Sequence, residues 1–497
     1  MSDPGCLRLP LRVYPGMSWF VLDWLGGDER FLRRAPAARR SDWRRPSTEL
    51  LTALEDSNRA WGLSVRDKLD AWATGETVTL VAGQQVGFGG GPLYTLAKAA
   101  TLLKMKRDLE AKGTRVTAFF WLATEDHDFD EVAQLLVPVN VDLIRLRATR
   151  PAKSKRIVGP MPVPDSLIAE LKALFPAADA KWLRPGITFR DAFAELIGTV
   201  FGSELILVDS LLPELRRAGA PLFSAVFDNW DTVQQKLQGR AAQLQQAGYA
   251  PQIAPRETGG YTLFFEIDDR GDRHIVEAPR AIAPEKTSTS ALTRPLLQDY
   301  VLQPDVFVGG PAEVSYYAQL APLHDLLKIR MPSVTLRGHV LIATERMLGF
   351  IDRYRIAPEE IFSSPDEILA RREPEAVAAV KREAAEGEKE LMRHIERIGE
   401  LALPADHALA RAINRSIGHI EYHFNKLTER AIKGIVRKDR ERYSAARALV
   451  AALRPDGKVQ DREVGWFPFW CRYGQYVIDR VVEEVEPDAD AFKVIAI

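Results

Sequence analysis

The chain has 497 residues, enough for two or three domains with a sizeable core. Its 46% hydrophobic and 27% charged residues are ordinary for a globular protein, and a formal net charge of −1 offers no overall field to attract nucleic acid or an anionic membrane. Two cysteines, Cys6 and Cys471, are too few for a disulfide framework and fit a reducing compartment. The N-terminus MSDPGCLRLPLRVYPG lacks a signal-peptide pattern, and no apolar run approaches the roughly 20 residues of a membrane helix, so the expected location is the cytoplasm.

In chain order, residues 1–75 read as a helical lead-in packed on the core, with Trp19, Trp24, Trp43, Trp61 and Trp72 among charged residues and helical spacing from about Ser47 to Trp72. Residues 76–250 read as an α/β core. Thr77 to Val81 is a strand that breaks into Gly83, Gln84, Gln85 and a glycine run ending at Pro92, and a helix to about Lys112 follows. A second strand, Val116 to Ala123, breaks into Glu125, Asp126, His127, Asp128, Asp130 and Glu131. If the two strands are parallel, the right-handed crossover places both loops at one carboxyl edge. Arg147 to Pro164, basic and proline-rich, reads as a solvated loop. Ser203 to Asp209 is a further strand that ends in an acid able to reach the same edge, the alternation of a doubly wound sheet.

Residues 251–290 read as a small β insertion, with a hairpin formed by Tyr261 to Asp268, a Gly-Asp-Arg turn and His274 to Glu277. Residues 291–362 return to the core. There Val306 to Glu313 repeats the strand, Gly-Gly-Pro, helix pattern around Gly310, and Ser333 to Arg337 is another strand. In both Gly-Pro units glycine would let backbone approach a ligand, and proline at the first helical turn would leave neighbouring N–H groups free. Residues 363–455 carry two apolar stripes, Val377, Val380, Ala384, Leu391, Ile395 and Ile398, then Ile413, Ile417, Ile420, Phe424, Leu427 and Ala431, with Pro404 at the turn. Two antiparallel helices that zip together and offer a remaining face to a second copy are expected. Residues 456–497 are an aromatic segment packed back on the core; Cys471 within it has no partner at nucleophile spacing and reads as core.

The glycine loop is neither a Walker A motif, lacking Gly-Lys-Ser/Thr, nor a dinucleotide fingerprint, because Pro92 stands where the third glycine belongs. Generic anion binding survives that exclusion, with Lys98 one and a half turns into the helix as a candidate for a carboxylate or phosphate; the bland alternative is a solvated lysine. Asp126, Asp128 and Asp130 mimic the start of an EF-hand, but Glu131 and Val137 occupy its obligatory glycine and closing glutamate positions, so no metal is assigned. A histidine among carboxylates could act as general base with its pKa raised by them. The competing explanation is that the acids cap the next helix.

Taken together, the segments GQQ-x-G-x-x-x-GPLYT-x-x-K (Gly83 to Lys98) and FW-x-x-x-EDHD-x-x-E (Phe120 to Glu131) resemble the bacillithiol biosynthesis cysteine-adding enzymes, BshC. TRPLLQD (Thr293 to Asp299), VGGPAEVSYYAQL (Val308 to Leu320), MPSVTLR (Met331 to Arg337), the helical arm and VQDREVGWFPFWCRYG extend the resemblance over nearly the whole chain. It implies a Rossmann-like core with connecting insertions, similar to class I aminoacyl-tRNA synthetases, and a coiled coil that supports a homodimer. It also implies joining L-cysteine to the amine of glucosaminyl-malate.

On that basis Gly83, Gln84, Gln85, Gly87, Gly91, Pro92, Tyr94 and Lys98 are expected to hold a malate or cysteine carboxylate. His127 with Asp126 or Glu125 is expected to take the amine proton, and Trp121, Asp130, Arg294, Gln298, Gly310, Glu313, Tyr317 and Arg337 to supply the remaining contacts. No ATP signature is legible, so ATP or another adenine nucleotide, a pre-activated cysteine and a separate carrier all stay open as the energy source. The alternative is a non-catalytic nucleotide or sugar-acid binding protein that uses the arm as a scaffold. An aminoacyl-tRNA-type ligase is disfavoured because HIGH and KMSKS sequences are absent.

Overall fold

The structure, a computed structural model, describes residues 5–34, 43–139, 142–150, 155–176, 182–402 and 409–497. The expected turn at Pro404 lies outside the described residues. The chain forms two compact units, one from Met1–Ile342 and Lys458–Ile495, the other from Ala343–Gly457. The strands in chain order are β1 (Cys6–Pro10), β2 (Val78–Gln84), β3 (Val116–Leu122), β4 (Gln134–Val139), β5 (Asp142–Arg147), β6 (Ile206–Asp209), β7 (Phe264–Ile267), β8 (Arg273–Ile275), β9 (Thr287–Thr289), β10 (Val306–Gly309), β11 (Ser333–Leu336), β12 (Val340–Ala343) and β13 (Ala491–Ala496).

The central sheet has the order β11-β10-β2-β3-β6, and every neighbouring pair is parallel. Strands β2 and β3 are nearly continuous apolar runs because both faces of a parallel sheet are covered. The helix Leu93–Glu110 makes the crossover between them and is buried over most of its length, Lys98 included. From β2 the chain adds β3 and β6 on one side, then returns to add β10 and β11 on the other. The direction of winding therefore reverses between β2 and β10, and the crevice outside their carboxyl ends is where ligands bind in such sheets. The core is Rossmann-like.

Three features depart from expectation in instructive ways. The helical stretch from Ser47 to Trp72 is two helices, Thr48–Ala60 and Arg66–Ala73, separated at Gly62, whose φ of +82° is left-handed backbone. The Arg147 to Pro164 connection is not simply solvated: Val158 is buried and its N–H donates to the Asp126 carbonyl (2.7 Å), while the Gly159 N–H donates to that of Thr124 (3.0 Å). It clamps the acidic loop from outside. A further sheet, β1-β13-β12, joins the two chain ends antiparallel, Cys6 opposite Ile495.

The insertion is the three-stranded antiparallel sheet β8-β7-β9. In the second unit, helices Pro374–Ala402 and Leu409–Val436 pack together, with the Phe424 ring closing on Gly387. Of the stripe residues, Ile398 and Leu427 remain exposed, 60% and 64%. Among the described residues no helix is long and apolar enough to cross a membrane.

Candidate functional site

A cavity of about 640 Å³ opens at the carboxyl edge of the central sheet. Gly83, Gln84 and Gln85 reach it from the end of β2, Trp121 from β3, and Glu125, Asp126 and His127 from the loop beyond. Gly310 and Glu313 enter after β10 and Arg337 after β11, while Tyr94, Lys98 and Arg294 enter from helices. Both sides of the point where the sheet order reverses are thus represented.

Lys98 is the cavity's most constrained cation. Its Nζ donates to the Gly83 carbonyl (3.0 Å) and to Gln84 Oε1 (2.9 Å), and it pairs with Glu313 Oε2. Those contacts use all three ammonium protons, so Lys98 fixes Gln84 and Glu313 and has no proton left for a substrate carboxylate. Glu313 Oε2 also accepts from the Gly310 N–H (2.7 Å), and Oε1 accepts from the Tyr316 hydroxyl (3.3 Å), which is itself held by Arg294 (2.6 Å). Burial acts to raise Glu313, but Lys98 and Arg294 outweigh it and hold its carboxyl below the ordinary range. Gln84 Nε2 donates onward to the Tyr94 hydroxyl (3.1 Å).

The acidic loop divides by role. Glu125 is buried and accepts from Arg216 (2.6 Å), the Ser288 hydroxyl (2.7 Å), the Thr289 N–H (2.8 Å) and the Thr289 hydroxyl (2.6 Å). Three of those bonds fall on Oε2 and one on Oε1, and together they anchor the loop to β9. Asp126 faces the cavity with 30% of its side chain exposed, and its Oδ2 accepts from Gln85. Asp128 caps the short helix Phe129–Val132 through the Glu131 N–H (3.1 Å), and Asp130 pairs outward with Arg147 (3.0 Å) and does not line the cavity. Helix capping therefore accounts for part of the acid run, as the alternative explanation held. The pKa of His127 is lowered, not raised: burial and the Arg273 guanidinium prevail over Asp126.

Gly87, Gly91, Pro92, Gln298 and Tyr317 are absent from the cavity wall. At Gly90, φ is +80° and an added Cβ would meet the Trp466 ring at 2.4 Å; the Trp466 indole N–H donates to the Gly90 carbonyl (2.8 Å). The glycine run thus makes room for a tryptophan, not for a ligand. The helix start behind Pro92 is closed as well, because the Leu93 N–H donates to the Val464 carbonyl (2.8 Å). At the second Gly-Pro unit Glu313 takes the Gly310 N–H, so neither unit keeps the open amide cradle expected of it. Gln298 and Tyr317 sit one layer back, where Gln298 accepts from Arg294 (3.1 Å) and the Tyr317 hydroxyl donates to Asp299 (3.1 Å). Asp209 also stays behind the wall, joined to Arg190 (3.3 Å).

Sequence reasoning missed several residues that the fold brings in from far away. Arg273, on β8, reaches His127 (2.9 Å between Nη1 and Nδ1), and Arg216 neutralises Glu125. Asp461 holds Arg337 (2.7 Å) and accepts from Tyr14. Arg462 lines the cavity from the C-terminal segment and forms no side-chain hydrogen bond or ion pair among the described residues. Its only sequence signal was a place in the VQDREVGWFPFWCRYG segment. The indole N–H of Trp121 is also buried without an acceptor among the described residues.

Six cations line the cavity, Lys98, Arg256, Arg273, Arg294, Arg337 and Arg462, against the carboxylates Glu125, Asp126 and Glu313. Counting the partners Arg216, Asp461 and Glu277 leaves an excess of two positive charges. Such a wall favours a ligand with more than one negative charge. Among the described residues no group of three or more His, Cys, Asp or Glu side chains is placed to hold a metal ion.

Fold and cavity together define a Rossmann-like α/β protein with a cationic pocket at its switch point and a helical coiled coil appended. The N-terminal Rossmann-like domain of bacillithiol biosynthesis BshC matches residues 26–281 and 280–338, and the BshC C-terminal coiled-coil domain matches residues 340–497. The chain belongs to the BshC family. Relatives named "Putative cysteine ligase BshC" include one from Solibacter usitatus, 29% identical over 85% of this chain and 85% of its own. A second, from Symbiobacterium thermophilum, is 28% identical over 95% of this chain and 93% of its own. One from Bacillus anthracis is 27% identical over 93% and 92%.

Proposed function

We propose that this chain is a ligase that forms a C–N bond between the carboxyl group of L-cysteine and the amine of glucosaminyl-malate, the step that yields bacillithiol. Family membership and the names of the relatives support the reaction class. The observation that carries the substrate is the cationic surplus at the switch point, since glucosaminyl-malate brings two carboxylates and an amine and cysteine brings a third carboxylate. Arg294, Arg337 and Arg462 are the guanidiniums suited to those carboxylates, and Asp126 is the exposed carboxylate suited to the amine. Glu313 and Lys98 hold Gln84 and the Gly310 backbone in place around them.

The same reading places the enzyme in the reducing cytoplasm, consistent with two free cysteines, and pairs two copies through the helical hairpin, where Ile398, Leu401, Tyr422 and Leu427 are exposed. Reconstitution tests it directly. The purified chain is incubated with cysteine and glucosaminyl-malate, with and without ATP and magnesium, and the thiol products are labelled and weighed by mass spectrometry. Bacillithiol in one of those mixtures is the expected outcome. No product in any of them, and none when a chemically activated cysteine ester replaces cysteine, overturns the assignment, and light scattering that finds only monomers removes the dimer.

A further inference from the structure

We propose that Arg273 is a positioning residue that locks the His127 ring in one tautomer, with its proton on Nε2, so that His127 meets the substrate as an N–H donor to oxygen and not as the base that takes the amine proton. The inference rests on the amide-forming reaction proposed for this cavity.

Arg273 is held from three sides. One Nη2–H donates to the Thr289 carbonyl on β9 (2.6 Å), the guanidinium lies over the Phe265 ring of β7 at 3.9 Å, and 5% of the side chain is exposed. Its other fork nitrogen, Nη1, is thereby aimed at His127 Nδ1, 2.9 Å away. A guanidinium donates and never accepts, so Nδ1 must present its lone pair, and a neutral ring then carries its hydrogen on Nε2. Nε2 has no protein partner among the described residues and is not among the buried atoms, while the ring lines the cavity. The free N–H thus opens toward substrate.

The groups around the ring agree with a neutral imidazole. Asp126 and Asp128 face it from its own loop, Arg273 faces it from β8, and Arg150 binds the His127 carbonyl. Two carboxylates are therefore matched by two guanidiniums, and burial decides in favour of the uncharged ring. A base would need the lone pair that Arg273 already occupies. A donor is what the carbonyl oxygen needs when the cysteine carboxyl group is supplied activated, as an acyl phosphate or other mixed anhydride: it gathers negative charge as the amine attacks, and the C–N bond replaces the C–O bond to the departing phosphate. Asp126, on the same wall, remains the acceptor for the amine proton.

Long-range ¹H–¹⁵N spectra of the full-length protein, labelled in its eight histidines, test the tautomer without any turnover. The His127 signals, identified by their loss in His127→Gln, should show the Nε2–H pattern at pH 7 to 8 and protonate only below the free-histidine value of about 6.5, and Arg273→Met should convert the neutral ring to a mixture of tautomers. Turnover supplies the second arm. His127→Gln keeps an amide N–H near the Nε2 position and should retain activity within roughly tenfold, whereas His127→Ala should lose roughly 10²- to 10³-fold. A wild-type His127 that titrates near 6.5, or His127→Gln as inactive as His127→Ala, overturns the proposal. A protein with the expected spectrum and no ligase activity would instead overturn the reaction assigned above.

Discussion

Glu125 and Arg216 form an ion pair 2.6 Å long with 4% and 0% of their side chains exposed. Arg216 is tied at its other end to the Thr287 carbonyl (2.8 Å), and Glu125 to Ser288 and Thr289, so one buried pair joins the acidic loop to strand β9 of the insertion. Removing one partner of such a pair leaves an uncompensated buried charge, which costs about 3–5 kcal/mol. Glu125→Gln should therefore lower the unfolding free energy obtained from urea titration by that amount, and Glu125→Gln combined with Arg216→Met should recover part of the loss. A single variant as stable as wild type would show that the pair is not a structural anchor.

Acidification should destabilise the fold in two stages. His339 lies buried in the cavity wall, and burial, with Arg337 nearby, holds it well below the ordinary histidine range. In the unfolded chain it takes a proton below about pH 6.5 and in the fold it does not, so its contribution is full above that pH and is lost as pH falls. Glu125 and Glu313, both depressed, have the same sign: their contributions are full above about pH 4.3 and lost below it. Unfolding midpoints should be level from pH 7 to 8 and decline below about 6.5. His127, also lowered, adds to the same stage, so His339→Leu should shrink it, and a first stage of undiminished size in this variant refutes the assignment to His339.

The α/β core was legible because its strands are uninterrupted apolar runs that end in loop chemistry, and the parallel crossover follows from chain order alone. The sheet that ties the two chain ends together was not, since Cys6 meets Ile495 across 489 residues and no local pattern announces that pairing. The site followed the same rule. Gln84, Lys98, Asp126, His127 and Glu313 line the cavity and could be singled out because they lie at the ends of β2, β3 and β10 or on the helices that follow. Arg273, Asp461 and Arg462 arrive from an insertion and a terminal segment, where one arginine among 67 basic residues carries no signal of its own. The glycine loop was misread for a related reason: glycine advertises close approach but does not say of what, and here the occupant, Trp466, lies 376 residues away.

That occupant makes Gly90 a sensitive position. A methyl group at Gly90 would lie 2.4 Å from the Trp466 ring, on backbone with φ of +80° that disfavours any side chain. Overpacking and left-handed strain together come to about 2–5 kcal/mol, so Gly90→Ala should unfold at markedly lower urea or temperature. Gly113→Ala is the control: φ is +81° but nothing lies within 4 Å of the added carbon, so only the strain, about 1–2 kcal/mol, applies. Equal losses in the two variants would refute the clash with Trp466.

Arg462 should report on substrate and not on stability. It is exposed, lines the cavity and forms no close ion pair among the described residues, acting only at a distance on Glu131, so Arg462→Met removes a cation from the pocket while leaving packing intact. A charge-assisted hydrogen bond is worth about 1.5–3 kcal/mol, which corresponds to roughly ten- to hundredfold in affinity. Calorimetric titration with glucosaminyl-malate should show that weakening, steeper at low salt, with an unchanged melting temperature. Unaltered affinity would place the malate elsewhere in the cavity.

The two cysteines should be chemically silent in a protein that handles a thiol. Burial and the neighbouring Glu484 push the Cys6 thiol up to about 11, and burial pushes Cys471 up to about 12. The nucleophile is the thiolate, so at pH 7 about one Cys6 in ten thousand, and fewer Cys471, are in reactive form. A route through a cysteinyl disulfide or thioester on the enzyme would need one of them ionised within reach of substrate, and neither lines the cavity. Cys6→Ser with Cys471→Ser should keep wild-type turnover, and the native chain should react with iodoacetamide far more slowly than free cysteine does. Loss of turnover in the double variant with its melting temperature preserved would point instead to covalent catalysis by one of these thiols.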